Sequence, residues 1–344
     1  MYEFCTYFDD RYVGRALALV GSLRRTCPRF RLWALCLNEE ARLALGELAL
    51  PEVTPIRLAE LELANPALVQ VKRSRSPLEY YFTCSPFLPS FILDRNPGIG
   101  AITYLDADLF FFADPAPLFR EMSGASVAVI GHRFPARLAA LEAYGRFNIG
   151  WLTFRRDAQA FQCLAWWQRR CLEWCYDRVE NGRFADQKYL DDWPTRFPGT
   201  VELKNLGAGV APWNLETAPI RAAKGRVEVA GQPLIFFHFH GVKLVAPRIY
   251  DLGLAPYGVR ASGLAVRRIY GPYLRALEDG ARALAGLGVS APAPHRRGNQ
   301  RTQGDNHATP GGGPEATDRV PRLWRFTKEI VRRRYALVLG GIVP

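Results

Sequence analysis

The sequence lacks any window of eighteen consecutive apolar residues among its 344, so no segment reads as a helix long enough to cross a bilayer. It also lacks a Cys-x-x-Cys pair. Its seven cysteines (Cys5, Cys27, Cys36, Cys84, Cys163, Cys171 and Cys175) are odd in number, which argues for buried reduced thiols over a disulfide framework or a zinc site. Residues 1–10 carry no basic n-region and no small-residue cleavage site, so no signal peptide is read and a cytoplasmic-side protein is expected. What remains is ordinary for a globular chain. With 49% hydrophobic, 23% charged and 12% aromatic residues, it can bury a sizeable core, which excludes collagenous and fully disordered classes.

The formal charge is +12, but it is unevenly placed. Residues 319–344 hold seven basic residues and one acidic, giving +6; 288–318 hold three of each. Half of the net charge therefore sits in the last 26 residues. A nucleic-acid reading needs basic residues clustered on the folded part or set in a recognisable module. Neither is present, so nucleic acid is not expected as a partner. Residues 288–318, rich in Pro, Gly, Asn, Gln and Arg, read as a disordered linker. The basic aromatic tail at 319–344 reads as a helix and as a segment for an anionic membrane surface, peripheral on its cytoplasmic face.

Along residues 1–125, strand-like and helix-like segments alternate. Tyr2–Phe8, Phe30–Leu37 and Val53–Leu58 read as strands; Val13–Arg25 and Glu39–Leu48 read as helices. Pro77–Leu93 reads as helical, broken by Pro86 and Pro89. Two apolar runs, Ala101–Leu105 and Leu109–Phe112, follow. Further on, Val127–Gly131, Asn148–Phe154, Val227–Val229 and Leu234–Phe239 are strand candidates, and Asp157–Val179 a long helix. This alternation predicts a mostly parallel α/β sheet covered on both faces.

The strongest chemical signal lies between the two runs at 101–112. Asp106 and Asp108 stand one residue apart inside otherwise continuous apolar sequence. Buried unpaired carboxylates are costly, so a strand end with a compensating cation is expected there. Hard oxygen ligands suit Mg²⁺ or Mn²⁺, ions that also bridge to phosphates. The competing reading is a polar turn. A second cluster, Phe236-Phe237-His238-Phe239-His240-Gly241-Val242-Lys243, sets two histidines on one strand face, with a glycine that lets a phosphate approach backbone and a lysine to meet its charge.

The order Asp106-Ala107-Asp108, Phe147-Asn148-Ile149-Gly150, Asp186-Gln187, His238-x-x-Gly241 resembles the motif order of the GT-A glycosyltransferases. Within them it is most similar to glycosyltransferase family 8, the group of glycogenin and the bacterial lipooligosaccharide galactosyltransferases. Asp9-Asp10-Arg11-Tyr12 after the first strand matches the family's nucleotide-binding turn. The resemblance covers Tyr2 to Lys243. It implies a GT-A, Rossmann-like fold over 1–287, with a nucleotide-binding half at 1–125 and an acceptor-side half at 126–287. It implies an enzyme moving a sugar from a nucleotide diphosphate-sugar, a UDP-sugar by expectation, to a glycan or lipid-linked acceptor in surface polysaccharide or lipooligosaccharide synthesis. The implied ligands of Mn²⁺ or Mg²⁺ are Asp106, Asp108 and His238, with His240 as the alternative. Thr6, Asp9, Tyr12, Asp106, Gly241 and Lys243 would bind the donor nucleotide. Asn148, Asp186 and Gln187 would line the reacting sugar.

Two departures stand out. Lys243 follows Gly241 by two residues where the family has three, and the family's donor-binding arginine has no counterpart among Phe82, Thr83, Cys84 and Ser85, leaving Arg73 or Arg75 as substitutes. Rival readings are a pyrophosphate-cleaving enzyme, which would need a Gly-rich loop after the first strand, and a non-catalytic scaffold binding partners or membrane through its tail. Asp9 and Asp10 could also simply cap a helix, as could Asp186.

Overall fold

A computed structural model describes residues 1–288 and 335–337. The first strands are Tyr2–Phe8 (β1), Phe30–Cys36 (β2), Val53–Arg57 (β3), Ala101–Leu105 (β4) and Leu109–Phe111 (β5). Then come Val127–Gly131 (β6), Phe147–Arg155 (β7) and Thr200–Leu203 (β8). Seven of these form one sheet in the order β3-β2-β1-β4-β7-β6-β8. Its pairings are parallel except for β4–β7 and β6–β7, so β7 alone runs against the rest. The mostly parallel α/β sheet expected from the sequence is what forms.

The crossover helices arise where the 3.6-residue period was read. Val13–Thr26 joins β1 to β2, and Glu39–Leu48 joins β2 to β3. Asn38 caps the latter by accepting the Ala41 N–H at 3.1 Å, with Glu39 and Glu40 in the first turn, where the helix dipole favours them. Pro77–Leu93 is two helices, Pro77–Cys84 and Phe87–Arg95. Pro86 marks the break, but Pro89 does not: it sits in a first turn, where a missing N–H costs nothing. The long helix stops early, at Ala158–Glu173 instead of Val179. Trp174 turns extended (φ −155°) and stays buried, with its Nε1 donating to Glu180 at 3.3 Å. Satisfying that indole in place outweighs continuing the helix.

The remaining strands are Ile220–Ala223 (β9), Arg226–Val229 (β10), Gln232–Pro233 (β11), Phe236–His238 (β12), Lys243–Ala246 (β13), Ile249–Asp251 (β14) and Tyr335–Leu337 (β15). β12 pairs antiparallel with β5, outside the main sheet. β14 lies between β13 and β15, so three residues of the basic tail add a strand. The rest of that tail, the linker after Gly288, and with them the expected helix and membrane contact lie outside the described residues. All seven cysteines are buried and free, as expected. Among the described residues, no helix is long and apolar enough to cross a membrane.

The Phe-rich flanks of the Asp-x-Asp segment clamp it from both sides. Phe110 packs edge-on against Phe239 (6.2 Å between ring centres) and Tyr273 (5.8 Å). Phe111, on the opposite face, meets Phe236 (5.5 Å), which stacks flat on Trp151 at 5.4 Å. Such pairs contribute about 0.5–1.5 kcal/mol each beyond their burial. The turn bearing the carboxylates is therefore anchored at the strand that follows it.

Candidate active site

β4 ends at Leu105, and the chain turns through Asp106-Ala107-Asp108 before β5. The Leu109 N–H donates to the Asp106 carbonyl (3.1 Å), and the Asp106 N–H donates to the Gly150 carbonyl of β7 (3.2 Å). Opposite, the β5–β12 register sets His238 against Leu109, and the Phe239 N–H donates to the Asp108 carbonyl at 3.0 Å. That pairing brings His238 Nε2 to 3.1 Å from Asp108 Oδ1 and 3.6 Å from Asp106 Oδ2. One donor atom from each of the three residues lies within 4.8 Å of the others.

The electrostatics are those of two carboxylates sharing a buried cation site. Burial pushes the Asp106 carboxyl up, and Asp108 adds to the push against the pull of His238. For Asp108 burial also works against ionisation, but the charge and hydrogen bond of His238 outweigh it and hold the carboxyl low. Burial likewise disfavours the His238 imidazolium, and the facing carboxylates overcome it and raise its pKa. The Tyr104 hydroxyl donates to Asp106 Oδ1 at 2.8 Å, leaving Asp106 Oδ2 towards the histidine. Two carboxylates and an imidazole this close are a donor set that fits a divalent cation of the Mn²⁺ or Mg²⁺ kind.

This group opens into a pocket of about 630 Å³ of non-protein space, also lined by Tyr12, Asn148, Asp186, Gln187 and His240. Eight of the sequence-predicted residues thus meet in one place. His240 lines the pocket but stands outside the three-residue donor group; its ring centre is 5.7 Å from that of His238. Four others lie apart from the pocket lining. Thr6 is fully buried on β1, its hydroxyl without a protein hydrogen bond. Asp9 is buried too and accepts from Arg11 Nε at 2.9 Å; it makes no cap bond to the helical turn that follows. Gly241 turns through a left-handed conformation (φ +76°) with its backbone against Gly253, and half-buried Lys243 opens β13. Neither arginine named as a substitute lines the pocket. Arg73 is exposed, and Arg75 donates to the Leu172 carbonyl (3.3 Å) and covers the Tyr176 ring at 4.0 Å.

The supporting contacts explain the rest of the lining. Gln187 spans two backbones, its Oε1 accepting the Ile149 N–H (3.3 Å) and its Nε2 donating to the Tyr144 carbonyl (3.0 Å). Asn148 Oδ1 accepts the Gly150 N–H at 2.8 Å, while its Nδ2 lies 3.1 Å from His132 Nε2. Asp186 is 3% exposed; burial raises its carboxyl to about 7, and its Oδ2 meets no protein partner. Tyr12 has the Arg15 guanidinium over its ring at 4.2 Å, and that guanidinium donates to the Val242 carbonyl at 2.8 Å.

Sequence reasoning missed Tyr104, His132, Ser85, Trp213 and the space-making role of Gly150. Tyr104 is two residues before Asp106 on a strand, the spacing that shares a face, and could have been found. His132 (beside Asn148), Ser85 (its hydroxyl at the Asp186 carboxyl) and Trp213 (ring centre 5.4 Å from that of His238) reach the site through tertiary packing and leave no local pattern.

Two proteins of Bacillus subtilis (strain 168) are similar in sequence, both uncharacterized. YfnD is 30% identical over 276 residues, 79% of this chain and 88% of that protein. YfnF is 32% identical over 251 residues, 71% of this chain and 82% of that protein. No family model matches the chain. Among solved structures, apo mouse xyloside xylosyltransferase 1 is 15% identical with a TM-score of 0.45, over 69% of this chain and 97% of that one. The galactosyltransferase LgtC with donor and acceptor sugar analogs is 16% identical with a TM-score of 0.44, over 69% and 86%. GlyE of Streptococcus pneumoniae TIGR4 is 13% identical with a TM-score of 0.47, over 86% and 66%.

Proposed function

The chain belongs to the family of the Bacillus subtilis proteins YfnD and YfnF, and we propose that it is a metal-dependent GT-A glycosyltransferase. It transfers a sugar from a nucleotide diphosphate-sugar, a UDP-sugar by the sequence resemblance, to a glycan or lipid-linked acceptor. The observation that supports this most is the meeting of Asp106, Asp108 and His238 in the lining of one pocket with Asn148, Asp186 and Gln187.

In this reading Asp106, Asp108 and His238 hold Mn²⁺ or Mg²⁺. When bound, the ion supplies positive charge where a departing diphosphate gathers negative charge. Tyr12, backed by Arg15, offers a ring for the base. By the sequence resemblance alone, Thr6 and Asp9 hold the nucleoside and Gly241 and Lys243 meet the phosphates, from outside the pocket lining. Gln187 and Asn148 fix the backbone at 149–150 beside the sugar. Asp186, with a carboxyl near 7 and a free Oδ2, accepts or returns a proton at a sugar or acceptor hydroxyl. Residues 1–125 then form the donor half and 126–287 the acceptor side. The basic tail rests on an anionic membrane on its cytoplasmic face, beside a lipid-linked glycan of surface polysaccharide synthesis.

Calorimetric titration of UDP, with GDP and CDP beside it, in the presence and absence of Mn²⁺ tests the proposal. Metal-dependent binding of one nucleotide is expected. No binding by folded protein refutes the transferase and leaves a scaffold.

A further inference from the structure

A second cavity, of about 300 Å³ of non-protein space, shares no lining residue with the donor pocket. The turn at 211–215 stands between the two. Trp213 sets its ring centre 5.4 Å from that of His238, while Asn214 and Leu215 line the cavity. The other walls are aliphatic: Leu206, Val210, Ile220 of β9 and Val229 of β10. Leu206 is 38% exposed, so one wall reaches solvent.

A single charged side chain lines these walls. Arg133 stands two residues past the end of β6. That is the sheet edge carrying Asp106, because β6 and β4 both run against β7, and open α/β sheets bind ligands outside such strand ends. The half-buried guanidinium donates to the Asn205 carbonyl (3.1 Å) and to the Ala208 carbonyl, which uses two of its five N–H donors. Among the described residues it makes no ion pair, since the carboxylates whose charge reaches it are engaged elsewhere. Glu202 holds Arg146 (2.6 Å) and Lys204 (2.8 Å), and Glu121 accepts the N–H groups of Lys204 and Asn205. Arg133 also keeps a left-handed backbone (φ +54°), which a residue with a side chain holds only where its surroundings impose it. The remaining polar side chains of the lining are committed. Asn214 accepts the Ala211 N–H and donates to the His132 and Gly209 carbonyls, each at 2.9 Å. The Thr217 hydroxyl donates to the Asn214 carbonyl at 2.7 Å.

A half-buried cation without a counter-ion is costly unless a ligand brings one. An inorganic anion would leave the aliphatic walls uncovered, and a neutral alkyl chain would leave the guanidinium unmatched. We propose that this cavity is a second binding site, for a phosphate monoester on an aliphatic chain, with the phosphate on Arg133 and the chain along Val210, Leu215, Ile220 and Val229. The guanidinium fork matches phosphate oxygens. At about 30 Å³ per water-sized group, about ten such groups fill the space, enough for the phosphate and a short length of chain. The binding does not depend on the transferase reading; resting on that reading, the ligand is the lipid phosphate of a lipid-linked acceptor.

The test uses the full chain without Mn²⁺ or nucleotide, so that the donor site takes no part. Octyl phosphate, octanol, octanoate and inorganic phosphate are titrated by calorimetry. Octyl phosphate is expected to bind about tenfold or more tightly than octanol, through its charged contact. It is expected to exceed inorganic phosphate by at least as much, since two buried methylenes already give about tenfold. Arg133→Gln should weaken octyl phosphate about tenfold or more and leave octanol unchanged. Ala218→Phe, which fills the cavity from its lining and keeps the guanidinium, should weaken octyl phosphate about as much. Inorganic phosphate or octanoate binding as tightly as octyl phosphate overturns the inference, as does an octyl phosphate affinity unchanged in either folded variant. If Arg133→Gln has no melting transition, the parent ratios and Ala218→Phe decide. Failure of octyl phosphate to bind removes this site and leaves the transferase standing. Failure of every nucleoside diphosphate to bind refutes the transferase and leaves this site to its own result.

Discussion

Gly150 is the position where one added carbon should do the most damage for the least unfolding. A Cβ built there stands 2.6 Å from Asn148 Oδ1, 3.1 Å from Asp106 Oδ2 and 3.2 Å from His238 Nδ1. Asn148 cannot easily retreat, since its Oδ1 accepts the Gly150 N–H at 2.8 Å and its Nδ2 lies 3.1 Å from His132. The displacement then falls on Asp106 and His238. Forcing a methyl into such a site costs about 1–3 kcal/mol. Empty, the pocket can shed much of that strain by letting the two side chains move. With a cation bound they must return, because coordination tolerates little change in distance. The cost therefore appears in metal-dependent affinity, as a loss of roughly 5- to 140-fold for Gly150→Ala. Calorimetric titration of Mn²⁺ with a nucleoside diphosphate reads the loss, and a melting curve checks the fold. An affinity within about twofold of the parent, in a variant that melts normally, would show that Gly150 does not shape the donor group.

Other perturbations have equally definite signs. Asp108→Ala should abolish the rise in melting temperature that Mn²⁺ plus nucleotide gives the parent while leaving the apo protein folded; a retained rise removes these residues as the metal site. Asp186 lies at about 7 in the folded protein against an ordinary 3.8. The folded state therefore binds its proton more tightly than the unfolded chain between these values. Stability from this residue is full below about pH 4 and is lost as pH rises to about 7, by up to roughly 4 kcal/mol. Asp186→Asn should remove that slope, so parallel melting-temperature curves for parent and variant across pH 4–7 would count against the assignment. Truncation after Leu287 should abolish co-sedimentation with anionic vesicles while sparing metal-dependent hydrolysis of the donor; equal sedimentation of both chains refutes the membrane role of the tail.

Much of the fold was legible because its signals are local. β1 to β4 and the helices at 13–26 and 39–48 announce themselves by period and caps, and the Asp-x-Asp turn by carboxylates where apolar residues should be. The helix end at Glu173 was not legible, because a buried indole and its Glu180 partner decide it. Nor were the helices Leu58–Ala64 and Pro66–Lys72, too short for their period to stand out. Within the site, Asp106, Asp108 and His238 were readable one by one. The contacts that aim them from Gly150 and the β5–β12 register involve partners up to 130 positions apart and depend on the folded chain.

That distance gives the donor group a timetable. On the ribosome, β5 emerges with its aspartates well before β12 exists, because His238 follows Asp108 by 130 residues. At a synthesis rate of about 5–20 residues per second, the delay is roughly 6–26 s. For that interval the nascent chain exposes a Phe-rich strand edge and two carboxylates without their third partner. On the proposed reading, ion capture waits for the strand that completes the ladder, so the three-residue group is complete only 130 residues after its first aspartates appear.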